Sequence, residues 1–175
     1  MTKTFYLDMP SPIGKLTLIG DGTALTAVHM DCGDFVLPKN ANKGHAVLIE
    51  ARRQLEEYFA GKRREFNLPL AATGTGFQRA VWAALYDIPF AQTRSYIEIA
   101  RAIQKPTASR AVGMANGRNP ISIIVPCHRV IGASGKLVGY GGGLERKQWL
   151  LDHEKHQSLS RKRWDRRQQS PQILD

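Results

Sequence analysis

A run of bulky apolar residues breaks at a proline and is followed at once by a cysteine and a histidine: Ile123-Ile124-Val125-Pro126-Cys127-His128-Arg129-Val130-Ile131-Gly132. No other stretch limits the possible folds of this chain so tightly. The β-branched lead-in predicts a buried strand. Pro126 removes a backbone donor and fixes φ, so that strand should stop there. A thiol is then held at the inner edge of a packed core, where a nucleophile can meet its substrate away from bulk water. Neighbouring side chains diverge on strands and on helices alike. A relay from Cys127 to His128 through a water is therefore more natural than a direct thiol–imidazole bond. By themselves the two residues fit a buried structural cysteine beside a surface histidine equally well, because free cysteine is among the most often buried side chains.

The rest of the chain bounds the choice. Its 175 residues suffice for one domain or two small ones, and a 42% hydrophobic share supports a real core. No apolar run is long enough for a membrane span, and the residues after Lys3 lack the apolar core of a signal peptide. A cytoplasmic protein with reduced Cys32 and Cys127 is expected. The net charge of +10 and a pI near 10 point to a polyanionic partner.

In the N-terminal part, alternation of Phe5, Leu7 and Met9 predicts a half-buried strand over residues 3–9. A turn at Pro10–Gly14, a second strand through Leu16 and Leu18, a turn at Asp21-Gly22 and a third strand from Leu25 to His29 read as an antiparallel meander. Residues 31–44 read as loop. Helical spacing of Leu48, Ala51, Leu55, Tyr58 and Phe59 predicts a helix over 45–59 stopped by Gly61, and Phe66, Leu68 and Leu70 alternate as one more strand. His29, Cys32 and His45 are three potential metal ligands where a closed structural zinc site takes four. No metal is expected, and Cys32 is read as a bystander thiol.

Ala71–Gly74 reads as a linker. Thr75 and Gln78 have capping-box spacing and open a helix that buries Phe77, Val81, Ala84 and Leu85 and ends before Pro89. Ser95 and Glu98 form a second such box, ahead of a helix with Tyr96, Ile99, Ala100 and Ile103 on one stripe. Gln104-Lys105-Pro106 breaks it, and Thr107 can cap a further helix with Ala108, Ala111, Val112 and Ala115 buried. The pair forms a helix-turn-helix or an ordinary helical hairpin. On the opposite face lie Ser109, Arg110, Gly113 and Met114. A mid-helix glycine costs about 1 kcal/mol relative to alanine, which is easier to understand where another backbone approaches. Gly139-Tyr140-Gly141-Gly142-Gly143 lacks both nucleotide-binding glycine spacings, so its amides are better read as donors to a flat ligand. A last helix over 144–154 should bury Trp149, Leu150 and Leu151. Residues 155–175 hold six Lys/Arg against two Asp and are expected to be disordered.

Pro126-Cys127-His128-Arg129-Val130, preceded by Asn119-Pro120 and followed by Tyr140-Gly141-Gly142-Gly143, resembles the O6-alkylguanine-DNA alkyltransferase family, most closely its bacterial Ogt type. The likeness runs from about Phe77 to Glu154, and more weakly back to Ser11-Pro12-Ile13-Gly14. It implies an α+β fold, with a small N-terminal α/β, ribonuclease H-like domain over 1–72. A mostly helical C-terminal domain with a winged-helix-like helix-turn-helix would follow over 73–154, and then the basic tail. It further implies direct-reversal repair: the protein flips O6-alkylguanine out of double-stranded DNA and moves the alkyl group irreversibly to its own Cys127. No cofactor is implied. Cys127, His128 and Glu154 would form a Cys–water–His–Glu relay, Tyr96 would donate to the leaving base, and Asn119 would be the hinge between recognition helix and active-site strand. Arg110 resembles the arginine finger that fills the gap left by the base. Substrate or DNA contacts are implied for Val130, Tyr140, Gly141, Gly142, Ser95, Ala111, Gly113, Met114 and Arg129. Some family members have serine where Gly141 stands, so only its amide is carried over. A monomer is expected. The sequence leaves open O4-alkylthymine as a substrate and cooperativity on DNA.

Two rivals belong to other classes. A Cys–His hydrolase would use the same pair on an acyl group in a cleft without a helix-turn-helix. A damage binder of the alkyltransferase-like type would lack Cys127.

Overall fold

The computed structural model describes residues 3–31 and 35–169. Strands β1 (Phe5–Met9), β2 (Leu16–Gly20) and β3 (Leu25–Met30) form the expected antiparallel meander, with Leu7 opposite Leu18 and Leu18 opposite Val28. Helix α1 (Ala46–Phe59) lays Leu48, Ala51, Leu55 and Tyr58 on the sheet, and Gly61 follows it at φ +74°, a left-handed position suited to a residue without Cβ.

Two N-terminal readings need correction. The 31–44 segment is not all loop: β4 (Asn42–Lys43) adds to β1 in parallel, giving the order β3-β2-β1-β4. Conversely, Phe66–Leu70 is not a strand. The Gln54 side chain takes both backbone groups of Asn67, at 2.9 and 2.8 Å, and Leu70 makes only an isolated bridge to Leu25. Alternation signalled burial of one side, but a side-chain amide replaced the ladder partner.

In the C-terminal part, α2 (Gly76–Tyr86) opens on Thr75 and α3 (Tyr96–Ala102) on Ser95, both with complete capping boxes. Helix α4 (Ser109–Gly117) completes the helix-turn-helix. Its cap is Ala108, without a side-chain bond, rather than Thr107, and its buried residues are Val112, Ala115 and Asn116. Ala111, expected inside, is exposed, because the helix is rotated to turn Asn116 toward Cys127. A short parallel pair, β5 (Arg94–Ser95) with β6 (Val130–Ile131), joins the helices to the cysteine segment.

That segment departs most from expectation. Ile123–Val125 is buried but is not a strand: it runs through turns closed by Val125 N–H to Ile121 O at 3.0 Å and Cys127 N–H to Val125 O at 2.8 Å. Ile123 adopts φ +73°, a strained conformation for a β-branched residue, which such structure tolerates at a cost of about 1–3 kcal/mol. Cys127–Arg129 forms a single 3-10 turn. An apolar run bounded by proline looks the same whether it is a buried strand or a buried turn.

Helix α5 (Leu144–Gln169) is far longer than predicted. Leu150 is fully buried, while Trp149 and Leu151 are half-buried. The disorder expected from Lys155 onward is overturned as far as Gln169. Lys, Arg, Gln and Leu are all good helix formers, and no Gly or Pro intervenes before Pro171. Gln157 and Arg64 also tie the extension to the body, at 3.1 Å. Cys32 and residues 170–175 lie outside the described residues. Side chains of both halves share one contiguous core, from Leu16 and Leu55 to Val81, Val112 and Leu150. A side chain of this size contributes about 1.5–3 kcal/mol when fully buried.

Candidate active site

Glu154 anchors the site. It is fully buried on α5, yet five donors converge on its carboxylate. Oε1 accepts from Tyr58 Oη at 2.8 Å, His128 Nε2 at 2.7 Å and Arg129 Nη2 at 3.0 Å. Oε2 accepts from Arg129 Nε at 2.9 Å and the Ala91 amide at 3.0 Å. Ala91 is held at φ +60°, so a strained residue aims its N–H at the acid. Burial would raise the Glu154 carboxyl, but the hydrogen bonds from His128 and Arg129 and the charge of Arg129 outweigh it and hold it well below the usual carboxylate range.

An ionised carboxylate at Nε2 fixes the imidazole. The proton resides on Nε2, and Nδ1 is left as an acceptor, buried and without a hydrogen-bond partner among the described residues. Burial lowers the His128 pKa more than Glu154 raises it, so the ring is neutral near pH 7. A neutral imidazole with a free lone pair has the chemistry of a general base, and His128 is next in sequence to Cys127.

Cys127 is 4% exposed. Burial pushes its thiol up; hydrogen bonding from Asn119, the charge of Lys147 and the Tyr140 hydroxyl pull the other way without cancelling it. The Asn119 side chain braces the segment before the cysteine: its Nδ2 donates to Val125 O at 2.8 Å, and its Oδ1 accepts from the Ile121 amide at 3.1 Å. A cavity of about 570 Å³ is lined by Tyr96, Val138, Tyr140 and Gly141 and, from α4, by Ser109, Arg110, Gly113 and Asn116. Cys127 does not line it but lies behind Asn116, whose Nδ2 reaches Cys127 O at 3.5 Å, and Arg110 is exposed at its edge with Met114 62% exposed beyond it.

Several predicted residues occupy other positions than expected. Tyr96 donates to Val138 O at 2.8 Å, so it must exchange that partner before serving a base. Ser95 caps α3. Val130 is fully buried, with its amide on Cys127 O. Gly142 packs so closely that a Cβ would fall 2.2 Å from Met30 Sδ, so its role is to bring the glycine stretch against the N-terminal sheet. Arg129, assigned above to substrate or DNA contact, is instead buried, with Nη1 on Ile88 O at 2.6 Å and Nε and Nη2 on Glu154. A guanidinium 5% exposed and paired with a buried carboxylate is not presented to a phosphate. Among the described residues no group of three or more His, Cys, Asp or Glu could hold a metal ion.

The sequence also hid three participants. Lys147 is fully buried, with Nζ on the carbonyls of Val138 and Gly139 at 3.2 Å each, and its charge acts on Cys127. Its place on α5, three residues after the Tyr140–Gly143 stretch, is the one signal that could have found it. Asn116 reaches Cys127 O at 3.5 Å, and Tyr58 arrives from α1.

The two shifts predict a stability profile. His128 and Glu154 are both depressed in the folded state, so the unfolded chain binds more protons whenever pH falls toward their ordinary values of about 6.5 and 4.3. Stability from this pair is complete above about pH 7 and is lost progressively on acidification. The melting temperature should fall from pH 7 to 5 and more steeply toward 4, and Glu154→Gln should flatten the lower limb. Equal slopes for the two proteins would remove Glu154 from the explanation.

Fold and site together define a class: a protein that sets a helix-turn-helix beside a buried cysteine followed by a carboxylate-anchored histidine. Family models agree. The 6-O-methylguanine DNA methyltransferase, ribonuclease-like domain matches residues 1–72, and the 6-O-methylguanine DNA methyltransferase, DNA binding domain matches residues 76–156. The chain belongs to the 6-O-methylguanine DNA methyltransferase family. It is similar to the methylated-DNA–protein-cysteine methyltransferase of Mycobacterium leprae, 53% identical over 158 residues, covering 87% of this chain and 93% of that one. The protein of the same name from Methanosarcina acetivorans is 51% identical over 152 residues, covering 86% and 97%. Among solved structures, Mycobacterium tuberculosis OGT in complex with DNA superposes with a TM-score of 0.82 at 52% identity, covering 87% of this chain and 94% of that one. Among the described residues no helix is long and apolar enough to cross a membrane.

Proposed function

We propose that this protein repairs O6-alkylguanine in double-stranded DNA by direct reversal, taking the alkyl group onto Cys127. The observation that carries the reading is His128, anchored by Glu154 and presenting an unpartnered Nδ1, next in sequence to a buried cysteine that Asn116 links to the helix-turn-helix cavity. His128 takes the thiol proton through a water. The sulfur then forms a bond to the alkyl carbon as the carbon–O6 bond breaks. The released electron pair stays on the guanine, to which Tyr96 donates a hydrogen bond after turning from Val138, and the proton taken up by His128 neutralises the base through solvent as it leaves. Lys147 stabilises the thiolate between these steps. Reaching an O6-alkyl group requires the nucleotide to leave the stack, at a cost of a few kcal/mol that is smaller for a poorly paired base. The product is a thioether with no carbonyl for water to attack, so each chain acts once.

In this reading residues 1–72 act as a supporting domain and 73–154 carry DNA binding and transfer, a division that the two family-model ranges support. A monomer located in the cytoplasm, where its DNA is, belongs to the same proposal. Incubating the protein with duplex containing O6-methylguanine, with no added cofactor, should restore guanine and leave the methyl group on protein. Unchanged base, or an abasic site, would refute it.

Arg110 then has a specific duty. It is the long cation of the exposed α4 face and lines the cavity that α4 shares with Tyr96 and Tyr140. Filling the gap left by the base matters only in paired DNA. Arg110→Ala should slow transfer at least tenfold in duplex, corresponding to roughly 1.4 kcal/mol of the flipping cost, and by much less in single strands. Equal slowing on both substrates would make it a plain phosphate contact.

A further inference from the structure

Roughly the last three and a half turns of α5, residues 157–169, fall outside the match to the DNA-binding domain model, which ends at residue 156. They nevertheless build something. Gln157, Ser160 and Arg161, on one face of the helix, meet Gly61-Lys62-Arg63-Arg64-Glu65 across a groove of about 600 Å³. Arg64 closes one end, donating to Gln157 O at 3.1 Å while its guanidinium lies 5.1 Å from the Phe90 ring centre. Arg63 is committed to Glu57 at 2.7 Å. Lys62 and Arg161 are exposed, as are Lys155, Lys162 and Arg163 on the same stretch of helix. The groove shares no lining residue with the cavity beside α4. At 1.5 Å per residue the helix carries this charge about 22 Å beyond Glu154 by Gln169.

What fits a basic groove depends on the rest of the helix. A membrane-surface helix needs an apolar stripe. Here the exposed Leu159 and Trp164 are five residues apart, about 140° around the helix at 3.6 residues per turn, so no such stripe exists. A phosphodiester backbone needs only spaced cations.

We infer that this groove is a second DNA-backbone site, holding phosphates beyond those that α4 engages. The inference rests on the reading of DNA as partner, and the test separates the two. The protein is compared with Lys62→Gln/Arg161→Gln on a short duplex that just spans the lesion and on one twice as long, each carrying O6-methylguanine. Both proteins should transfer methyl groups from the short duplex at the same saturating rate; failure of the unaltered protein to do so would sink the repair reading. On the long duplex the unaltered protein should bind tighter, with a steeper dependence on salt. Each lost phosphate contact removes about 0.9 from the slope of log K against log salt, so the double variant should be flatter by about 2. Identical slopes on the long duplex would overturn the second site. So would a variant that loses affinity for vesicles of anionic lipid but not for the long duplex.

Discussion

Cys127→Ser should show no transfer of a methyl group from DNA above background, while its affinity for the same duplex stays within about twofold. A serine hydroxyl yields far less free anion to a neutral imidazole than a thiol does, and oxygen is a poorer nucleophile than sulfur toward an alkyl carbon. DNA affinity is spared because α4 and Arg110 are one element away and unchanged. The hydroxyl enters a buried position, and an unpaired buried polar group costs about 1–3 kcal/mol, so a melting curve on the variant belongs beside the assay. Methyl transfer surviving in the folded variant would move the acceptor elsewhere in the chain.

Glu154→Ala should be the most damaging single change to the fold. Removing one carboxylate strands Arg129, His128, Tyr58 and the Ala91 amide in a dry interior at once. Breaking a buried pair in this way typically costs about 3–5 kcal/mol, from a total of about 5–15. At roughly 2–4 °C per kcal/mol for a chain of this size, the melting temperature should drop by about 6–20 °C. Transfer by whatever remains folded should fall on the order of a hundredfold or more, since His128 loses the partner that fixes its tautomer. A melting temperature within a degree or two of the unaltered protein would mean that the cluster is not the keystone described here. Glu154→Gln separates the two roles: it keeps volume and one acceptor, so it should recover much of the stability but little of the rate.

The sequence made the secondary structure legible where local chemistry is self-sufficient. Thr75–Gln78 and Ser95–Glu98 announce helix starts because both partners of each capping box are within three residues, and the β1–β3 meander follows from strict alternation between turns. Legibility stopped where a distant group supplied the missing bond. Gln54 holds Asn67 in place of a strand partner, and Ile123–Val125 is packed into turns by a surround that only the folded chain provides. The site divides in the same way. Cys127 and His128 are adjacent, and Glu154 follows from the family pattern. Arg129, a substrate or DNA contact by resemblance, is held by Glu154, and Lys147, which no motif singled out, lies fully buried. Burial of a cation depends on carbonyls from Val138 and Gly139, which spacing along the chain does not reveal. The helix beyond Glu154 was hidden by composition, since a basic, serine- and glutamine-rich stretch looks the same whether solvated as coil or as helix.

Peptide mass analysis after reaction with excess duplex containing O6-methylguanine tests the central claim most directly. The account predicts a gain of one CH₂ per chain, confined to the peptide bearing Cys127, and a reaction that stops when one equivalent of guanine has been restored. Restoration of several equivalents per chain, or a methyl group found on any other residue, would contradict it.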